Sequence, residues 1–130
     1  MLLLGGVLLA ACGDEDFKNE PRPPVPVELS GVISAEKVTV APTKLGAGPV
    51  VITVSNQTDA RHTITLEGES LRAQVGPIGP LDTATIKRTL EPGDYEVRAG
   101  STKAVPREIA PALLTIGAER PDSNDHLLLP

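Results

Sequence analysis

Residues 83–90 read TATIKRTL, so an extended chain puts Ala84, Ile86 and Leu90 on one side and Thr83, Thr85, Lys87 and Thr89 on the other. A period of two is the mark of a half-buried β-strand. It recurs in VVITVSN (50–56), where Val50, Ile52 and Val54 share a face, and in HTITLEG (62–68), where His62, Ile64 and Leu66 do. In DYEVRA (94–99) the inward set is Tyr95, Val97 and Ala99. VELSGVIS (27–34), KVTVA (37–41), SLRAQV (70–75) and ALLTIG (112–117) are further strand candidates, and no long window carries a helical stripe. Between them lie turn signals: APTKLGAGP, NQTDA, EGES, GPIGP, EPGD and APA. About eight short strands at this spacing predict an all-β fold, a Greek-key antiparallel sandwich of two sheets. A chain of 130 residues has room for one such domain.

Charge and composition exclude several roles. With 12 basic and 17 acidic side chains the net charge is −5, which argues against a nucleic-acid partner because phosphate binding needs a concentrated basic face. Phe17 and Tyr95 are the only aromatics, too few for a platform on which bases or sugar rings could stack. The core must therefore be aliphatic. The single cysteine, Cys12, leaves no internal disulfide to form.

Cys12 sits at the end of LLLGGVLLAAC (2–12), an apolar run too short to cross a bilayer but of the length of a signal-peptide apolar region. Its last four residues, LAAC, resemble the lipobox of bacterial lipoproteins: a branched aliphatic, two small residues, then cysteine. The resemblance implies a diacylglyceryl group on the Cys12 sulfur and cleavage just before it, so that residues 1–11 are a signal peptide that is removed. A secretory signal normally opens with Lys or Arg, and only Met1 precedes this run, so a start further upstream is expected. The following GDEDFKNEPRPPVP (13–26) is charged and then proline-rich, a composition that stays extended; with Cys12 it forms a tether, 12–26, with a reach of roughly 40 Å at about 3.1 Å per residue. The membrane, reached through lipid on Cys12, is thus an expected partner, and the cell envelope the expected location, on a periplasmic or extracellular face.

In LEPGDY (90–95) the pattern Leu-x-Pro-Gly-x-Tyr resembles the tyrosine corner of Greek-key proteins, in which the phenol bonds back across the connection while the ring fills the core. The wider order of pieces from Val38 to Gly117 resembles the cupredoxin-like fold: a strand and a Gly-ending loop lead into a strand closing on Asn56, then RHTITL, then paired strands around a Pro-Gly-x-Tyr turn. The resemblance places His62 at the position of the first copper-ligand histidine. A blue-copper site needs two imidazoles and a thiolate, usually with a weak axial thioether. Where the family has its cysteine this chain has Ala99; the second histidine corresponds to Thr102, and the loop AVPREIAPA (104–112) holds no methionine. Met1 in the signal and Cys12 on the lipid cannot substitute. No cofactor and no metal are expected, and His62 is read as a partly buried residue hydrogen-bonded to a loop, with a weak ligand contact as its alternative use.

No catalytic constellation is evident. There is no Gly-x-Ser-x-Gly elbow, Glu67 and Glu69 straddle Gly68 as a solvated loop would, and LGAGP lacks the lysine and helix of a phosphate loop. Zinc-ligand spacing is absent too. The expectation is a non-enzyme: a sandwich over 27–117 and a tail over 118–130 containing His126 and the leucines Leu127, Leu128 and Leu129, which either fold back onto the domain or dock an envelope partner. The expected function is that of a lipid-anchored, metal-free binding or structural module at the envelope. The alternative is a periplasmic or surface protein that handles copper weakly through His62. A third reading is an electron-transfer subunit whose cofactor comes from a partner.

Overall fold

The structure, a computed structural model, describes residues 24–100 and 108–121. Eight strands follow one another with no helix among the described residues: β1 (Val27–Ile33), β2 (Val38–Ala41), β3 (Lys44–Asn56), β4 (His62–Glu67), β5 (Arg72–Ile78), β6 (Thr83–Leu90), β7 (Gly93–Gly100) and β8 (Ala112–Glu119). They form two layers, β2-β1-β3-β6 and β3-β8-β7-β4-β5, joined through β3. The chain is thus the cupredoxin-like β-sandwich expected of it. The expected wholly antiparallel pairing does not hold: β1 and β8 both run parallel to β3, because β3 enters both sheets in one direction, whereas the other ladders are antiparallel.

The alternation read from the sequence is the alternation of burial. Ile52 and Val54 on β3, Ile64 and Leu66 on β4, Val97 on β7 and Leu114 on β8 are sealed between the layers, with Leu29, Ile33 and Leu90 beside them. Each such aliphatic side chain contributes about 1.5–3 kcal/mol by leaving water. Tyr95 is the one aromatic among them.

Two segments read as turns are strands. In APTKLGAGP the chain is already extended from Lys44, pairing with β8 over Lys44–Ala47 before it crosses to β1 and β6. The crossing shows in the burial pattern, where alternation breaks because Ala47 and Gly48 are both buried, and Gly48 has φ +140°. Glycine is needed there, since a Cβ on Gly48 would meet the Arg120 guanidinium. In GPIGP, β5 continues through Gly76 and Pro77 to Ile78, and the extra residue forms a bulge on β5 opposite the His62–Ile64 step of β4. At the other end β8 passes Gly117 to Glu119, two residues into the stretch read as tail.

Arg120 secures that corner. Its Nε donates to the Ala47 carbonyl at 3.2 Å, Nη2 donates to the Pro49 carbonyl, and Nη1 reaches the Val25 carbonyl at 3.2 Å. One side chain ties the end of β8, the crossing in β3 and the approach to β1. Desolvation lowers the Arg120 pKa from the ordinary arginine value, and the group stays cationic.

The tyrosine corner is present. The Tyr95 hydroxyl donates to the Glu91 carbonyl at 2.8 Å and accepts from the Glu91 N–H at 3.1 Å. Its ring lies over Gly68, where a Cβ would collide with it. Tyr95→Phe keeps the ring and removes both bonds, so a loss of about 1–2 kcal/mol is expected in urea unfolding with an unchanged m-value.

Candidate functional site

Strand directions put β1–β2, β3–β4, β5–β6 and β7–β8 connections at one end of the sandwich, and residues 24–26 and 120–121 at the opposite end. The first, the Asn56 end, is where His62 and Ala99 lie and where the family resemblance would place a metal.

Asn56 organises it. With 0% exposure, its Nδ2 donates to the carbonyls of Ala60 at 2.7 Å and Ile78 at 2.9 Å. Its Oδ1 accepts from the Thr58 N–H at 2.9 Å and the Thr58 hydroxyl at 2.7 Å. Its backbone N–H donates to the Asp82 carbonyl at 2.9 Å, and its carbonyl accepts from the Leu81 N–H at 2.7 Å. Leu81 is held at φ +64° with 74% of its surface exposed. For a branched aliphatic residue a left-handed backbone costs roughly 1–2 kcal/mol, which the bonds from Asn56 and the Gly79–Asp82 turn offset.

His62 opens β4 immediately after this loop and pairs with Ile78, whose carbonyl Asn56 already holds. It is 2% exposed, on the inner face shared with Ile64 and Leu66, so it is fully rather than partly buried. The expected loop hydrogen bond is missing at Nδ1, which has no partner among the described residues and no contact with water. Ala99 lies diagonally across from it on β7, opposite Ile64 in the ladder and half-buried against the core. On the opening of β8, Ile109 enters the core and Ala110 bridges to Lys37, so the described end of the 104–112 loop is structural. Cys12, Thr102, His126 and the three tail leucines fall outside the described residues.

These residues do not fit a copper centre. Among the described residues no three of His, Cys, Asp and Glu come together. Ala99 brings a methyl group where a soft thiolate is needed. Glu67 and Glu96, opposite each other on β4 and β7, lie on the outer face of the second sheet beside a shallow depression of about 500 Å³ lined also by Arg98 and Leu113. Arg98 pairs with Glu96 and lies 3.6 Å from Glu67, so one guanidinium offsets part of the charge of the two carboxylates.

No protein-family model and no curated protein matches the chain. Solved structures similar to it include a copper-containing nitrite reductase from Thermus scotoductus SA-01, at 13% identity and TM-score 0.49, covering 80% of this chain and 29% of that one. Two others are a laccase-like multi-copper oxidase, CueO, from Ochrobactrum sp. (14% identity, TM-score 0.46, 82% of this chain, 31% of that one) and Lac15 from a marine microbial metagenome (13%, 0.45, 74% and 33%). The chain spans about a third of the length of these proteins or less. Their copper chemistry belongs to them.

The side chain of Asn56 has no spare bonding capacity, and replacing it strands several buried groups. Asn56→Asp, which removes both donors at nearly constant volume, is expected to lower stability by about 2–4 kcal/mol. Hydrogen exchange should show amides of 56–62 and 78–82 losing protection before those of β7.

Proposed function

We propose that this chain is an exported protein, held to a membrane through lipid on Cys12, whose metal-free cupredoxin-like domain serves as a binding or structural module at the bacterial cell envelope. The observation that carries the metal-free reading is Ala99, a methyl group on the inner face one strand from His62, at the position the family resemblance reserves for a thiolate. Lipid anchorage is supported by LAAC at 9–12 and by the acidic, proline-rich stretch after it. The approach to β1 lies at the end opposite His62 and Leu81, an arrangement suited to a tether that presents the loops away from its attachment. A module of this kind acts by surface contact, and no step of bond-making is assigned to it.

One observation favours a second reading. A buried imidazole nitrogen without a partner is uncommon, and it is the feature a weak copper contact at His62 would use. Titration of the purified protein with Cu(II) separates the two: equal weak binding by the protein and by His62→Ala is expected, while binding lost only in the variant supports copper handling. An intense blue colour would overturn the metal-free reading. For the anchor, mass spectrometry of the protein from its native membrane is expected to show Cys12 as the first residue, carrying diacylglycerol. An uncut chain with a free thiol would refute attachment.

A further inference from the structure

The two outer faces of the sandwich differ in chemistry. The second sheet presents Arg72, Glu67, Glu96 and Arg98. The first sheet presents rows of small hydroxyl and β-branched side chains, one of which reads Ala41, Ser30, Thr53, Thr85 across four strands. In a chain that is 22% charged, the outward residues of β1, of β6 and of the part of β3 between them include two charges, Glu28 and Lys87; the exposed Lys44 lies where β3 pairs with β8, and the exposed Arg88 falls on the inward parity of β6, opposite Val50. The two outward charges stand in a single row, Glu28 on β1 opposite Val51 on β3 opposite Lys87 on β6. They are two strand spacings apart, about 10 Å, and neither belongs to an ion pair among the described residues.

β3 lies between β1 and β6 and is therefore the natural axis of this face. A half-turn about a line parallel to β3 and just above it turns the face over and exchanges the β1 side with the β6 side while keeping position along the strands. Glu28 of one copy then lies over Lys87 of the other, and Lys87 over Glu28. Two opposite-charge contacts form from one arrangement, the self-complementarity an isologous interface requires. The strands of the two copies run in the same direction, as in aligned sheet-on-sheet packing, and the small side chains between the charges let the faces approach.

We propose that this face is the site at which a second copy of the chain docks, with the two-fold axis over β3 and Glu28 paired with the partner's Lys87 at both ends. The footprint the two copies share, about 14 Å across the three strands β1, β3 and β6 and about 17 Å along them, is small beside the roughly 800 Å² per partner of a stable interface. The pair is weak and reversible in dilute solution, and it strengthens when copies are held at high local concentration.

Cross-linking of the full chain in a Cys12→Ser background tests this. Thr53→Cys lies on the axis and Thr115→Cys on the outer face of the second sheet, both exposed. With a short bismaleimide at high micromolar protein, dimer is expected from Thr53→Cys at several times the yield from Thr115→Cys. Adding Glu28→Lys or Lys87→Glu to Thr53→Cys sets like charges opposite and should cut that yield at least about fivefold; combining the two should restore it. Equal yields at 53 and 115, no dimer from 53, or no recovery in the double charge swap would each overturn the proposal. Recovery in the swap also separates docking from association through the apolar residues 2–11, which no change at 28 or 87 touches.

Discussion

An amide sealed from water must place two donors and satisfy an acceptor with two lone pairs, and Asn56 does both while its own backbone groups are taken up by a different loop. The consequence is geometric. Ala60 and Thr58 fix the path from β3 to β4, Ile78 fixes the last residue of β5, and Leu81 and Asp82 fix the turn into β6. Four strands from both layers therefore meet at one residue, three through its side chain and β6 through its backbone. Neither the position of His62 nor the left-handed backbone of Leu81 is an independent choice, since both are set by where Asn56 needs its partners.

The opposite end is held by different chemistry for the same reason. A strand that leaves one sheet to join another exposes carbonyls at the crossing, and no ladder can take them. At β3 those carbonyls belong to Ala47 and Pro49, and the guanidinium of Arg120 supplies donors in a fork that reaches both. Glycine at 46 and 48 leaves the volume that fork occupies. Between the two ends the core is aliphatic and non-directional, so the polar groups at the ends, with the Tyr95–Glu91 corner, define which of many compact packings is adopted.

Much of this was legible in the sequence, and the parts that were not share a cause. Period-two alternation is local, and it located all eight strands, β6 to the residue. Tyr95 was legible because its partner, Glu91, is four residues away and the motif between them is compact. Glycine and proline in APTKLGAGP and GPIGP suggested turns because those residues usually end strands; here they mark a crossing and a bulge, which keep the chain extended while re-aiming it. Arg120 gave no signal, because its targets are backbone carbonyls 71 and 73 residues earlier, which any sequence would offer. His62 was placed correctly on an inward face, and its burial with an unpartnered nitrogen depends on neighbours from β5 and the Asn56 loop that no spacing rule names.

The parallel pairing of β1 with β3 has a mechanical consequence. A pull on the chain before Val27 acts along β1, whose ladders to β2 and β3 run across that direction. Those hydrogen bonds are strained side by side rather than peeled one after another, and the Arg120 bond to the Val25 carbonyl takes the first of the load. Loaded in that direction, β1 is in shear, the geometry in which a strand yields last.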